Sequence, residues 1–230
     1  KAIRRQRQMC IRDRSYTLPV VGAGWIIALT GLIDDVKELS AKKKMIGILL
    51  AASLVWFLTD FRLNDFKIPF GGPLLHFEPW LSYLLTVIWI VAITNAVNLI
   101  DGLDGLVSGV SIISLVTMGI VSYFFLPVPN LFLTMTIFVL VASIAGFFPF
   151  NYHPAILYLG DTGALFIGFM ISVLSLQGLK NATAVAVVTP MIILGVPITD
   201  TFLAIIRRTL SGQKFYKPDR NHLHLSLIHI

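Results

Sequence analysis

The chain has 230 residues, 56% of them hydrophobic and 13% charged, with mean hydropathy +0.83. A soluble domain of this length carries about twice that share of charge, so the composition excludes an ordinary water-soluble globule and places the chain in a membrane. The formal charge of +6 comes mostly from Lys1, Arg4, Arg5, Arg7, Arg12 and Arg14, opposed by Asp13, so it gives no argument for a nucleic-acid partner; the single cysteine, Cys10, excludes a disulfide framework and a cysteine metal quartet.

Residues 1–15 lack an apolar h-region and do not read as a targeting segment. This basic stretch and the tail 225–230, "LSLIHI", read as non-native, adapter-like ends; a genuine basic arm is the alternative for the first of them. The expected folded unit is therefore 16–224, truncated at both ends. Within it, apolar runs follow at about 18–33, 45–59, 80–100, 106–126, 131–149, 164–179 and 182–206. A span needs about 17–25 residues, and lipid leaves helices or closed barrels as the options. None of the runs alternates with the period of a barrel strand, so the expected fold is all-α, a polytopic membrane protein with about seven transmembrane helices. "FGGP" at 70–73 predicts a small external hairpin at about 66–77.

The connections fall on alternating sides. One side holds Lys37, Lys42, Lys43, Lys44, Arg207, Arg208, Lys214, Lys217 and Arg220; the other holds only Arg62, Lys67 and Lys180. The positive-inside rule makes the first side cytoplasmic. Asp34, Asp35, Glu38, Asp101, Asp104, Asp161 and Asp219 lie on that same side, while Asp200 lies within the seventh run. A carboxylate at mid-bilayer costs ~2.5–3.5 kcal/mol, so acids at span ends need a partner or a purpose.

Three clusters stand out: "GLIDDVKEL", "NLIDGLDGL" and "LGDTGA". Gathered at one face they repel one another, and a divalent cation resolves that conflict. Mg²⁺ prefers one or two carboxylates with water and substrate phosphates, which suits phosphoryl transfer. Asn98 and Asp101 are i,i+3 neighbours on a helix face, and Asn95 extends the stripe. Gly102 and Gly105 should end the helix; Gly160 and Gly163 flank Asp161, where the sixth helix starts and its N-terminus favours an anion. Helix capping by Asp104 or Asp161 is the bland alternative. "KPDRNHLH" at 217–224 offers Lys217, Arg220, His222 and His224 as a diphosphate-gripping loop, against a plain solvated tail. His153 and His76 read as interfacial.

Taken together, "DDVKE", "NAVNLIDGLDGL", "FNYHPAILYLGDTGA" and "PDRNHLH" resemble, in order and spacing, the bacterial polyprenyl-phosphate N-acetylhexosamine-1-phosphate transferases. The likeness is to the undecaprenyl-phosphate N-acetylglucosamine-1-phosphate transferase type, with phospho-N-acetylmuramoyl-pentapeptide transferase as a relative. It implies attack of undecaprenyl phosphate on the β-phosphorus of a UDP-N-acetylhexosamine, with release of UMP and a requirement for Mg²⁺, or Mn²⁺ in its place. It also implies a multi-pass protein of the bacterial plasma membrane with a cytoplasmic active site, no nucleic-acid partner, and room for a homodimer. By motif position it implies Asp161 and Asp35 as metal residues. Asp34, Asp35, Asp101 and Asp104 are the implied catalytic carboxylates, Asp34 the candidate base, and Asn95, Asn98, Asn151, Arg220, His222 and His224 the implied substrate contacts. The chain departs from the family pattern at Glu38, Ala164 and Leu225. The competing class is an ion-coupled transporter, whose acids would sit near the bilayer midplane rather than at one face.

Overall fold

The computed structural model describes residues 2–67, 74–124 and 131–179. In chain order the elements are helix α1 (Ala2–Lys37), helix α2 (Ala41–Leu58), strands β1 (Asp65–Lys67) and β2 (Leu74–His76), and helices α3 (Pro79–Leu99), α4 (Leu106–Phe124), α5 (Leu131–Asn151) and α6 (Gly160–Leu179). Among the described residues, five helical segments are long and apolar enough to cross a membrane: Thr17–Lys37, Pro79–Leu99, Leu106–Phe124, Leu131–Asn151 and Gly160–Gln177. The chain is therefore a helical, multi-pass membrane protein. The seventh predicted run, 182–206, lies outside the described residues.

Helix α2 is the weakest of the predicted spans. Its 18 residues include Lys42, Lys43 and Lys44 in the first turn, so only the stretch after them is apolar. It packs against α1 and α3. The sixth helix starts at Gly160, at the expected position beside Asp161; the apolar run begins only at 164 because the first turn holds the polar Asp161 and Thr162. The apolar run at 18–33 lies in the second half of a longer α1. The two strands of the predicted hairpin are present as an antiparallel pair with Asp65 opposite His76, Phe66 opposite Leu75 and Lys67 opposite Leu74; the "FGGP" turn itself lies outside the described residues.

Two apolar cores meet on α3 and α6. The first joins Ala23 and Ile27 of α1, Ile48, Ala52 and Val55 of α2, and Val87 and Ile90 of α3 with Leu165, Phe169, Val173 and Leu176 of α6. The second joins Ile93 and Val97 of α3, Leu115 and Met118 of α4, and Ile137 and Ile144 of α5 with Ile167, Ile171 and Leu174 of α6. Helix α6 is thus buried on two sides, which is why it is apolar around its circumference. Small residues let the helices close up. A methyl group added at Gly31 of α1 would stand 2.4 Å from the Thr162 Cα of α6, so the two backbones touch there. That contact brings the end of α1 against the start of α6.

The connections α1–α2, α3–α4 and α5–α6 all emerge at this same end of the bundle, the lysine-rich side of the sequence.

Candidate active site

The site grows from the turn between α1 and α2. Glu38 adopts φ +46, and its N–H donates to the Asp34 carbonyl at 2.8 Å, closing α1. The Asp34 carboxylate is buried and accepts the Leu39 N–H at 2.6 Å, which turns the chain into α2. Lys44 lies one turn into α2, on the face that continues through the buried Gly47, Ile48 and Ala51. Its neighbours Lys42 and Lys43 are exposed.

The Lys44 ammonium joins three elements. It pairs with Asp34 Oδ2 of α1, with Asp161 Oδ1 of α6 at 2.8 Å, and donates to Asn98 Oδ1 of α3 at 3.3 Å. The Asn98 amide donates in turn to Asp161 Oδ1. Residues 34, 44, 98 and 161, scattered over the sequence, therefore form one hydrogen-bonded unit. An isolated carboxylate this deep would be costly; shared with an ammonium and an amide it is tolerated.

Asp35 faces the other way. Its carboxylate accepts the Asp161 N–H at 2.8 Å, the Thr162 N–H at 3.1 Å and the Thr162 hydroxyl at 2.5 Å. It is a cap for α6 supplied by α1. The free N–H groups and positive dipole end of a helix start draw an anion, and here the anion is this side chain rather than a phosphate. Gly160 makes room for it: φ is +65, and a Cβ there would stand 3.0 Å from Asp35 Oδ2.

Asp101 lies in the turn after α3. Partial burial, and then the negative charges of Asp161 and Asp35, push its carboxyl up to about 6. Those two charges tie it to the same site. Asp104, three residues on, does something else. It accepts the Ala155 N–H at 3.1 Å and pairs with His153 Nδ1 at 3.0 Å, and these contacts hold its carboxyl below the usual range. Asp104 thus fastens the α5–α6 loop to the α3–α4 turn and caps no helix. Asn151 is buried with both ends of its amide engaged, accepting from the Ser108 hydroxyl at 2.7 Å and donating to the Leu157 carbonyl at 3.0 Å. Its contacts hold that loop from inside. Asn95 donates to the Val91 carbonyl of its own helix at 2.8 Å and makes no bond to the Lys44 cluster.

The structure thus brings Asp34, Asp35, Asn98, Asp101 and Asp161 together. It places Asp104 and Asn151 under the neighbouring loop; Arg220, His222 and His224 lie outside the described residues. Sequence reasoning missed Lys44, which it counted only as a charge on one side of the membrane. The available signal was helical phase: of the three consecutive lysines, only Lys44 falls three and four residues before the small and apolar pair Gly47 and Ile48.

As to a metal, no group of three or more His, Cys, Asp or Glu stands ready as a ligand set among the described residues. Mg²⁺ does not need one, since one or two carboxylates with waters and substrate phosphates suffice. The hard oxygen donors of Asp34, Asp161 and Asp101 fit it in kind. Beside the cluster, between α1 and α6, runs an apolar groove of about 480 Å³ whose lining includes Val20, Trp25, Phe166 and Met170 and reaches Thr162.

Known proteins resemble the chain along most of its length. The model of glycosyl transferase family 4 matches residues 17–179. The chain is 46% identical over 94% of its length to a Bacillus subtilis protein named "Probable undecaprenyl-phosphate N-acetylglucosaminyl 1-phosphate transferase", and covers 59% of that protein. It is 35% identical over 92% of its length to the decaprenyl-phosphate N-acetylglucosaminephosphotransferase of Mycolicibacterium smegmatis, covering 56% of it. It is 34% identical over 87% of its length to the phospho-N-acetylmuramoyl-pentapeptide-transferase of Staphylococcus saprophyticus, covering 64% of it. The chain thus spans somewhat over half the length of these relatives. The matched segment runs from the second half of α1 to the last residue of α6 and takes in every element between them, so the chain belongs to glycosyl transferase family 4.

Proposed function

We propose that the full protein transfers N-acetylglucosamine-1-phosphate from its UDP-sugar to undecaprenyl phosphate and releases UMP, at the cytoplasmic face of a bacterial plasma membrane. One observation carries this reading: Asp34, Asn98 and Asp161, from three separate motifs, meet at a single ammonium at the lysine-rich end of the bundle. The names of the relatives support the sugar and the lipid, and the excess of Lys and Arg on that side supports the cytoplasmic face. Acids gathered at one end, rather than at mid-span, favour an enzyme over an ion-coupled transporter.

The residues divide the work. Asp161, with Asp34 or Asp101 beside it, is the set that would hold Mg²⁺, which supplies charge neutralisation for a diphosphate. Asp35 fixes the first turn of α6 and so the backbone that carries Asp161. Asn98 orients the Asp161 carboxylate. A lipid phosphate is already largely ionised at neutral pH, so positioning and charge screening matter more than proton abstraction, and Asp34 need not act as a base. The groove between α1 and α6 offers an apolar wall for the polyprenyl chain close to Thr162. UDP-sugar and undecaprenyl phosphate approach from water and from lipid, and a site at the end of the helices serves both.

The test is UMP release by the intact protein from UDP-N-acetylglucosamine, with undecaprenyl phosphate and Mg²⁺. The expected result is turnover that needs all three. Absence of turnover with any UDP-N-acetylhexosamine would overturn the reading.

A further inference from the structure

We propose that Lys44 and the divalent cation compete for the same carboxylate oxygens, so that Lys44 is the built-in counter-cation of the site and must leave it when the metal loads. This rests on the Mg²⁺ reading above and deepens it.

A lysine ammonium has three N–H donors. Lys44 has three acceptors: Asp34 Oδ2, Asp161 Oδ1 at 2.8 Å and Asn98 Oδ1 at 3.3 Å. Its donors are therefore all in use within the protein, and none is left for a substrate phosphate. Two of its three acceptors are the carboxylates best placed to bind a metal. Asp161 Oδ1 also takes the Asn98 amide, so this oxygen already accepts two hydrogen bonds. A divalent cation bound there would sit within a few ångströms of the ammonium, and like charges at that range in a half-buried site repel strongly. Lysine suits the exchange: its charge is a compact point on a flexible four-carbon stem, able to swing without disturbing the helix that carries it.

The arrangement has a use. Asp34, Asp35, Asp101 and Asp161 crowd the site, and the ammonium neutralises two of them whenever no metal does. Once displaced, it is a cation set free beside the incoming diphosphate. Metal loading and phosphate gripping are then coupled through one side chain. Asp35, Asp101 and Asn98 also face this cluster, and none of them supplies a competing positive charge.

The experiment uses the intact protein in detergent or nanodiscs with Mn²⁺ alone as the probe, its binding followed by electron paramagnetic resonance. Lys44→Met is expected to bind Mn²⁺ at least tenfold more tightly than wild type, and to gain more thermal stability from the ion. Lys44→Arg keeps the charge and is expected to stay near the wild-type affinity. A second measurement needs no variant: acetylation of lysine amines, read by mass spectrometry. Mg²⁺ is expected to raise labelling of Lys44 while leaving Lys42 and Lys43 unchanged. Equal or weaker Mn²⁺ binding by Lys44→Met, or Lys44 labelling that Mg²⁺ leaves unchanged or lowers in a protein that binds the ion, overturns the exchange and leaves the metal reading standing. A wild-type protein that binds no Mn²⁺ at millimolar concentration overturns both.

Discussion

Two acidic regions lie at the same end of this bundle and are built on opposite terms. Around Lys44, three aspartates from two helices meet one ammonium and the first turn of α6, and a fourth, Asp101, feels their charge from the turn after α3. Around Asp104, a single carboxylate meets a backbone N–H and an imidazole and is locally satisfied. The first region holds more negative charge than its own protein partners neutralise; the second holds one carboxylate with two hydrogen-bond partners of its own. The difference separates aspartates that wait for a ligand from an aspartate that holds a loop, although Asp101 and Asp104 stand three residues apart in one motif.

The strongest way to break the first region is at Asp161. Asp161→Asn keeps the size of the side chain and removes the charge that meets Lys44 and Asn98. UMP release is expected to fall by at least about 100-fold, the order seen when a single preorganised electrostatic contact is removed from a reaction centre. The folded helix content is expected to persist in circular dichroism. Activity within a few-fold of wild type would show that the crowded region is not the reaction centre.

Next is the joint between α1 and α6. Gly160→Ala puts a Cβ 3.0 Å from Asp35 at a φ of +65, where an L-residue is disfavoured by about 1–2 kcal/mol. Asp35→Ala removes the cap itself, at a cost of about 0.5–2 kcal/mol. Both are expected to lower the melting temperature by several degrees and turnover about tenfold, because both loosen the turn that carries Asp161. Loss of turnover in Asp35→Ala with unchanged melting would instead mark Asp35 as a group that touches substrate or metal.

The sequence made much of this legible. The acids could be placed at one end by counting sides, and the motifs carried the family. What escaped were facts of helix phase and contact. Three lysines in a row look alike until the helix rotates Lys44 toward Gly47 and Ile48. Asp35 read as a metal residue because its motif says carboxylate; the close backbone contact of Gly31 with Thr162, and the bonds it permits, show that α1 reaches the start of α6 and caps it. Asn151 bonds inside the protein at both ends of its amide, to Ser108 and to Leu157, a property that no local pattern records.

A smaller effect distinguishes Asp101. Its carboxyl is raised to about 6, so the folded state holds that proton more tightly than the unfolded chain, whose aspartates titrate near 3.8. Stability from this group is complete below the unfolded value and is lost as pH rises through about 6. Asp101→Asn is expected to raise the melting temperature by a few degrees at pH 7 and to remove that part of the pH dependence, as followed by thermal melts from pH 4 to pH 8. A wild-type melting curve flat across this range would show that neither burial nor the charges of Asp161 and Asp35 raise the Asp101 carboxyl.

The smallest effect is expected at Asp104, and its sign is the reverse. Its carboxyl titrates below the ordinary value, chiefly through the Ala155 N–H and then through His153. The stabilisation is present above the unfolded value and disappears as pH falls through the lower folded one. Asp104→Asn keeps an acceptor for the Ala155 N–H but loses the charge that strengthens the bond. Turnover is expected to change by no more than a few-fold, with faster amide exchange confined to residues 152–158, because the inner tie from Asn151 to Leu157 remains. If Asp104→Asn instead costs as much turnover as Asp161→Asn, with the loop still protected from exchange, then Asp104 meets the substrate directly and the two regions are one site.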